Sequence, residues 1–145
     1  MSNQLDINVL KYYLGTGVDF IHYDDERICT SRLISAGHKP NGEVTINNYK
    51  LSAYDRLKLC LRPMSDIQKV IFHDNIGSFT PLRYLYFEII GTDNDIYGTY
   101  DEFIDYFNET PVEHLSCIIR DFLVSVHFNV FNLDPSLWVD INTIE

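Results

Sequence analysis

The chain has 145 residues, 46% hydrophobic and 22% charged, a balance that suits one globular domain whose core needs neither metal nor disulfide. Three cysteines cannot all pair, which excludes a disulfide scaffold, and no apolar run approaches the roughly 20 residues that cross a bilayer. A formal net charge of −10 argues against a direct grip on nucleic-acid phosphates or on an anionic membrane. The first eight residues lack the basic and then apolar pattern of a signal peptide, so the expected setting is soluble and cytoplasmic.

In chain order, residues 5–14 space Ile7, Leu10 and Leu14 at helical intervals, while Tyr12 and Tyr13 suit a strand about as well. Gly15-Thr16-Gly17 turns into a strand over residues 18–23, rich in β-branched and aromatic side chains. Residues 28–35 and 43–51 flank His38-Lys39-Pro40-Asn41-Gly42, whose proline fixes φ and whose Asn-Gly accepts positive φ; the spacing predicts a hairpin. Residues 56–62 alternate, with Leu57, Leu59 and Leu61 on one face and Arg56, Lys58, Cys60 and Arg62 on the other, the pattern of a strand with one wet face. Pro63 ends it.

The second half carries helix signals. Ser65-Asp66-Ile67-Gln68 is a capping-box pattern ahead of Val70 and Ile71, predicting a short helix from Asp66. Thr80-Pro81 places an N-cap before a first-turn proline, with Leu82, Leu85, Tyr86 and Ile89 on one stripe before Gly91; a strand over residues 84–90 is the rival reading. Thr99-Tyr100-Asp101-Glu102 repeats the box ahead of Phe103, Ile104 and Phe107. Thr110-Pro111-Val112-Glu113 repeats it again and opens the strongest helix, with Leu115, Ile118, Ile119, Phe122, Leu123 and Val126 on a broad apolar stripe and His114, Cys117, Asp121 and Ser125 opposite. Asp134-Pro135 turns the chain, and residues 137–141 return as a short strand or extended packing. The fold class expected is α+β: an N-terminal antiparallel sheet of three or four strands packed against C-terminal helices, in a single domain over residues 1–145.

The charge is divided unevenly. Residues 1–73 hold nine bases and eight acids, whereas residues 74–145 hold two bases, Arg83 and Arg120, against thirteen acids. Within the second half, Asp93, Asp95, Asp101, Glu102, Asp105, Glu109 and Glu113 form a run without a base, interleaved with Tyr97, Tyr100, Phe103, Tyr106 and Phe107. Such a density of rings predicts a folded, acid-faced element rather than a disordered tail.

Two further features are the stretches Leu61-Arg62-Pro63-Met64-Ser65-Asp66-Ile67 and His127-Phe128-Asn129-Val130-Phe131-Asn132-Leu133, the latter followed by Val139-Asp140-Ile141-Asn142-Thr143. Together they resemble a group of small uncharacterised proteins carried by phages and prophages of gut Bacteroidetes, which read Leu-Arg-Pro-Leu-Ser-Asp-Leu, then His-Phe-Asp-Val-Phe-Gly-Leu-Ile and Ile-Asp-Ile-Asn-Thr. The chain departs from that pattern at Asn129, Asn132 and Trp138. The resemblance implies a viral origin and a host-cytoplasmic setting, and no mechanism.

Chemistry-bearing patterns are sparse. His114 and Cys117 at i, i+3 with Asp121 a turn further could supply three ligands to an ion, the basis of an alternative reading as a small metal-dependent or cysteine-based enzyme. Cys29, Cys60, His22, His38 and His73 are scattered, and neither a Gly-x-Ser-x-Gly turn nor a glycine-rich phosphate loop is present, so no metal, cofactor or catalytic residue is assigned. The expected function is therefore non-enzymatic: a phage or prophage accessory protein that binds another protein, with Asp93, Asp95, Tyr97, Tyr100, Asp101, Glu102, Asp105 and Glu109 as the contact residues. Its concrete form is an acidic mimic of nucleic acid that inhibits a host nucleic-acid-handling or defence protein; a homo-oligomer is left open.

Overall fold

The computed structural model describes residues 5–91 and 96–143. Its elements, in chain order, are α1 (Ile7–Tyr13), β1 (Asp19–Asp24), β2 (Arg27–Arg32), β3 (Ala36–His38), β4 (Val44–Ile46), β5 (Tyr49–Lys50), β6 (Asp55–Leu61), β7 (Ile71–His73), β8 (Gly77–Phe79), α2 (Pro81–Tyr84), α3 (Tyr100–Glu109), α4 (Cys117–Ser125) and β9 (Trp138–Asp140). The α+β class read from the sequence is the class observed.

The opening segment is a helix because the Asp6 carboxylate accepts the Asn8 N–H at 2.8 Å, capping donors that a short helix leaves free, while Leu10 and Tyr13 bury on its inner face. β1 and β2 pair antiparallel through a two-residue turn at Asp25-Glu26, with Asp25 at φ 55°. This hairpin was not foreseen. The predicted long strand over residues 28–35 divides instead: its first part pairs with β1, and the Pro40-Asn41-Gly42 reversal joins only β3 to β4. Central β6 lies between antiparallel β1 and β9, giving the order β2-β1-β6-β9. β9 comes from the C-terminal end and runs parallel to β6, with Leu59 N–H donating to the Leu137 carbonyl at 3.0 Å.

Two helix expectations change. Ser65 forms no cap; Met64–Asp66 makes a single 3₁₀ turn after Pro63, and residues 71–73 are the strand β7. Asp66 is drawn inward, its two oxygens accepting from Lys69 Nζ at 2.9 Å and Asn142 Nδ2 at 3.0 Å, so its side chain serves a tertiary contact and not a helix start. The strongest helix starts later than expected, at Cys117, because Leu115 sits at φ −68°, ψ 147° and breaks the path from the 3₁₀ turn Val112–His114. By contrast α2 is helical as Thr80-Pro81 predicts and continues as a π-helix over Leu85–Ile90, leaving through Gly91 at φ +88°.

Buried hydrophobic side chains from residues 5 to 137 form one cluster, in which Leu59, Leu61, Leu82, Leu85, Phe103, Ile119 and Leu123 are fully enclosed. Each such side chain contributes about 1.5–3 kcal/mol by leaving water. The expected wet face of β6 is not wet at its far end: Cys60 and Arg62 are both buried, since β9 and the segment after α4 close over that end of the strand.

Candidate functional site

The acid-faced element is α3. Its start is the reciprocal cap that Thr99 and Glu102 predict: Thr99 Oγ1 accepts the Glu102 N–H at 3.3 Å, and Glu102 Oε1 accepts the Thr99 N–H at 3.3 Å. Phe103 and Phe107 turn into the core, which forces Asp101, Asp105 and Glu109 onto an exposed edge, about 12 Å long at 1.5 Å per residue. Among the described residues none of these three, nor Glu102, joins an ion pair. The two bases of the acidic half are committed elsewhere. The Arg83 guanidinium lies 4.9 Å over the Phe87 ring and 5.8 Å over Tyr100, and Arg120 donates to the Glu113 backbone carbonyl at 3.1 Å.

Tyr97 and Tyr100 belong to the ring cluster beneath this edge. Tyr97 packs 4.8 Å from Tyr106 and 5.2 Å from Phe103, and Tyr100 lies 5.5 Å from both Tyr86 and Phe87. Partial burial pushes the Tyr100 and Tyr106 phenols above their ordinary range. Their rings therefore hold α3 against the core and offer only part of their surface outward. Asp93 and Asp95 lie outside the described residues.

The alternative ligand trio is not assembled. His114 ends a 3₁₀ turn, the extended Leu115 re-aims the chain, and Cys117 opens a new helix, so the i, i+3 relation is lost. Among the described residues no three His, Cys, Asp or Glu side chains stand close enough to hold an ion. Cys117 is an exposed thiol and Cys29 a half-buried one, while burial, with a smaller contribution from Asp19, pushes the Cys60 thiol up to about 12.

A second constellation was invisible in the alternation pattern, which had put Arg62 on a solvent face. The stretches 61–67, 127–133 and 139–143 meet in space: Arg62 N–H donates to the His127 carbonyl at 2.7 Å, Asn129 N–H donates to the Arg62 carbonyl at 2.9 Å, and Asn142 reaches Asp66. Where they meet, a cleft of about 290 Å³ opens between the Thr16-Gly17 turn and the β7–β8 hairpin, lined among others by Arg62, His73 and His127. Although it follows α4 directly, the His127 side chain does not cap that helix; its Nε2 faces the Thr16 carbonyl at 2.8 Å, and its ring stands edge-on to His73 at 5.3 Å. Desolvation lowers both imidazoles below the ordinary histidine range, helped by the nearby Arg62 charge. The chain matches no protein-family model, no curated protein and no solved structure.

Proposed function

We infer that this protein acts by binding another protein through the acidic edge of α3, as a non-enzymatic accessory factor of phage or prophage origin working in a host cytoplasm. The observation that carries the reading is that Asp101, Asp105 and Glu109 stand exposed on one helix edge without ion-pair partners among the described residues, while the two nearby bases are engaged with rings and a backbone carbonyl. Like charges at i, i+4 oppose helix formation by about 0.2–0.5 kcal/mol per pair, so this edge is not explained by the stability of α3. The partner it suits carries a basic surface, and a host protein that handles nucleic acid is the concrete case.

Charge spacing limits how complete the mimicry is. The helix edge offers a charge about every 6 Å, whereas duplex DNA offers one per roughly 1.7 Å, so other acids must extend the surface. Exposed Glu113 is one such acid. The test is capture of partners from host lysate at about 50 and 300 mM salt, ionic strengths across which surface electrostatics weaken, with wild type and an Asp101→Asn, Asp105→Asn, Glu109→Gln variant. A basic protein retained at low salt by the wild type alone supports the reading. A partner whose binding ignores both salt and the three substitutions overturns it.

A further inference from the structure

The cleft beside the β7–β8 hairpin holds hydrogen-bonding capacity that the fold positions and leaves unspent. Arg62 is 8% exposed, and its Nε and Nη2 donate to the carbonyls of Val126 at 3.1 Å and Phe72 at 2.8 Å. Two bonds in one plane fix the guanidinium, and Nη1, with two N–H groups, makes no hydrogen bond among the described residues. A carbonyl only accepts, so the Thr16 oxygen places the proton of neutral His127 on Nε2 and leaves Nδ1 an acceptor. The Asn75 N–H donates to Nδ1 of His73 at 3.2 Å, which makes the Nε2–H of that ring a donor. His127 stands at φ +73° as the left-handed residue that ends α4, with the Phe128 N–H closing the helix on the Leu123 carbonyl at 2.9 Å, and this turn fixes where its imidazole leaves the backbone.

We propose that this cleft binds a phosphoryl group, as inorganic phosphate or a small phosphate monoester, through Arg62 Nη1 and His73 Nε2–H, with a protonated phosphate oxygen donating to His127 Nδ1. The match is one of hydrogen-bond sense. A phosphate monoanion combines acceptor oxygens with one O–H donor and so satisfies all three groups, whereas a carboxylate only accepts and leaves Nδ1 of His127 unmatched. The volume of about 290 Å³ is at the small end for ligand sites, enough for a phosphoryl group with a short appendage. Charge also permits it. Among the lining residues Arg32 and Asp19 approach to 3.8 Å and Asp74 offsets Arg62 in sign, so with both imidazoles neutral the lining meets a phosphate monoanion with no net negative charge.

The experiment follows the imidazole NMR signals of the labelled full chain at pH 6.5 during titration with sodium phosphate, ribose 5-phosphate, sodium acetate or sodium chloride at constant ionic strength. Saturable shifts of His73 and His127 with either phosphate species, about tenfold tighter than with acetate, are expected, as for one hydrogen bond to His127 Nδ1 that acetate, having no O–H, cannot complete and leaves unmatched. The tighter of the two species identifies the ligand as free phosphate or monoester. His73→Ala, whose folding is checked by its own melting temperature, weakens binding about tenfold. The Asp101→Asn, Asp105→Asn, Glu109→Gln variant binds as the wild type does, which separates this site from the acidic edge. Shifts that rise without saturation, equal affinity for acetate, or undiminished binding in His73→Ala overturn the proposal.

Discussion

Replacing Asp105 by Asn and Glu109 by Gln should make the protein more stable, because α3 carries charge that its own helix disfavours. Asp105 stands four residues from both Asp101 and Glu109, so the pair of substitutions removes two like-charge contacts worth about 0.2–0.5 kcal/mol each. Glu109 also closes the helix, where the dipole is negative and no basic residue lies in the last turn; relieving that contact adds about 0.3–1 kcal/mol. The expected gain is about 0.7–2 kcal/mol, which for a chain of this size raises the melting temperature by about 2–6 °C. Asp101 and Glu102 are left in place, since both sit in the favourable first turn and Glu102 completes the cap. Thermal unfolding by circular dichroism at about 20 mM and 500 mM salt is the assay, and the gain should shrink at high salt as screening weakens the repulsion. A variant no more stable than wild type at low salt would refute the reasoning, because it would mean these acids already have compensating partners.

The remaining predictions concern the cap, the cleft and the thiols. Gly98→Ala should cost about 1–2 kcal/mol in urea unfolding, since Gly98 sits at φ +71° and an added Cβ meets the Glu102 carboxyl carbon at 2.8 Å, displacing the side chain that closes the cap. His73 and His127 are both held below the ordinary histidine range, so the unfolded chain binds protons more readily than the folded one. Their contribution to stability is complete above about pH 6.5 and is lost as pH falls from there through the folded-state values. A urea midpoint that drops between pH 7.5 and 5.5, with a smaller drop in His127→Asn, is expected; a flat profile in the wild type contradicts it. Ellman's reagent at pH 8 should label exposed Cys117 rapidly and buried Cys60 only after unfolding, and equal rates for the two would contradict their placement.

Where a signal was local, the sequence carried it through to the structure. The Thr99–Glu102 cap, the helix after Thr80-Pro81 and the reversal at Pro40-Asn41-Gly42 all form, since each depends on neighbouring residues alone: two reciprocal cap bonds, a first-turn proline whose fixed φ suits the helix although Thr80 makes no side-chain cap, and an Asn41 Oδ1 that accepts the Glu43 N–H. Equally local motifs failed where tertiary contacts intervened. Ser65-Asp66-Ile67-Gln68 has the form of a cap, yet Asp66 is buried against Asn142, seventy-six positions away. His127 follows a helix, yet its imidazole bonds to Thr16 across the molecule.

The acidic edge of α3 was legible as charge count and helical spacing, because both are properties of one segment. The cleft was not. Alternation along β6 correctly set Leu57, Leu59 and Leu61 on one face, but whether the other face is wet depends on what covers it, and that is a fact about β9 and the chain after α4. Composition and short-range pattern thus determined the fold class, the Thr99–Glu102 cap and the location of negative charge. Only tertiary packing decided that β6 is flanked by a parallel C-terminal strand, that Arg62 is buried, and that two histidines fifty-four positions apart share one cleft, because those outcomes rest on contacts whose partners no local window contains.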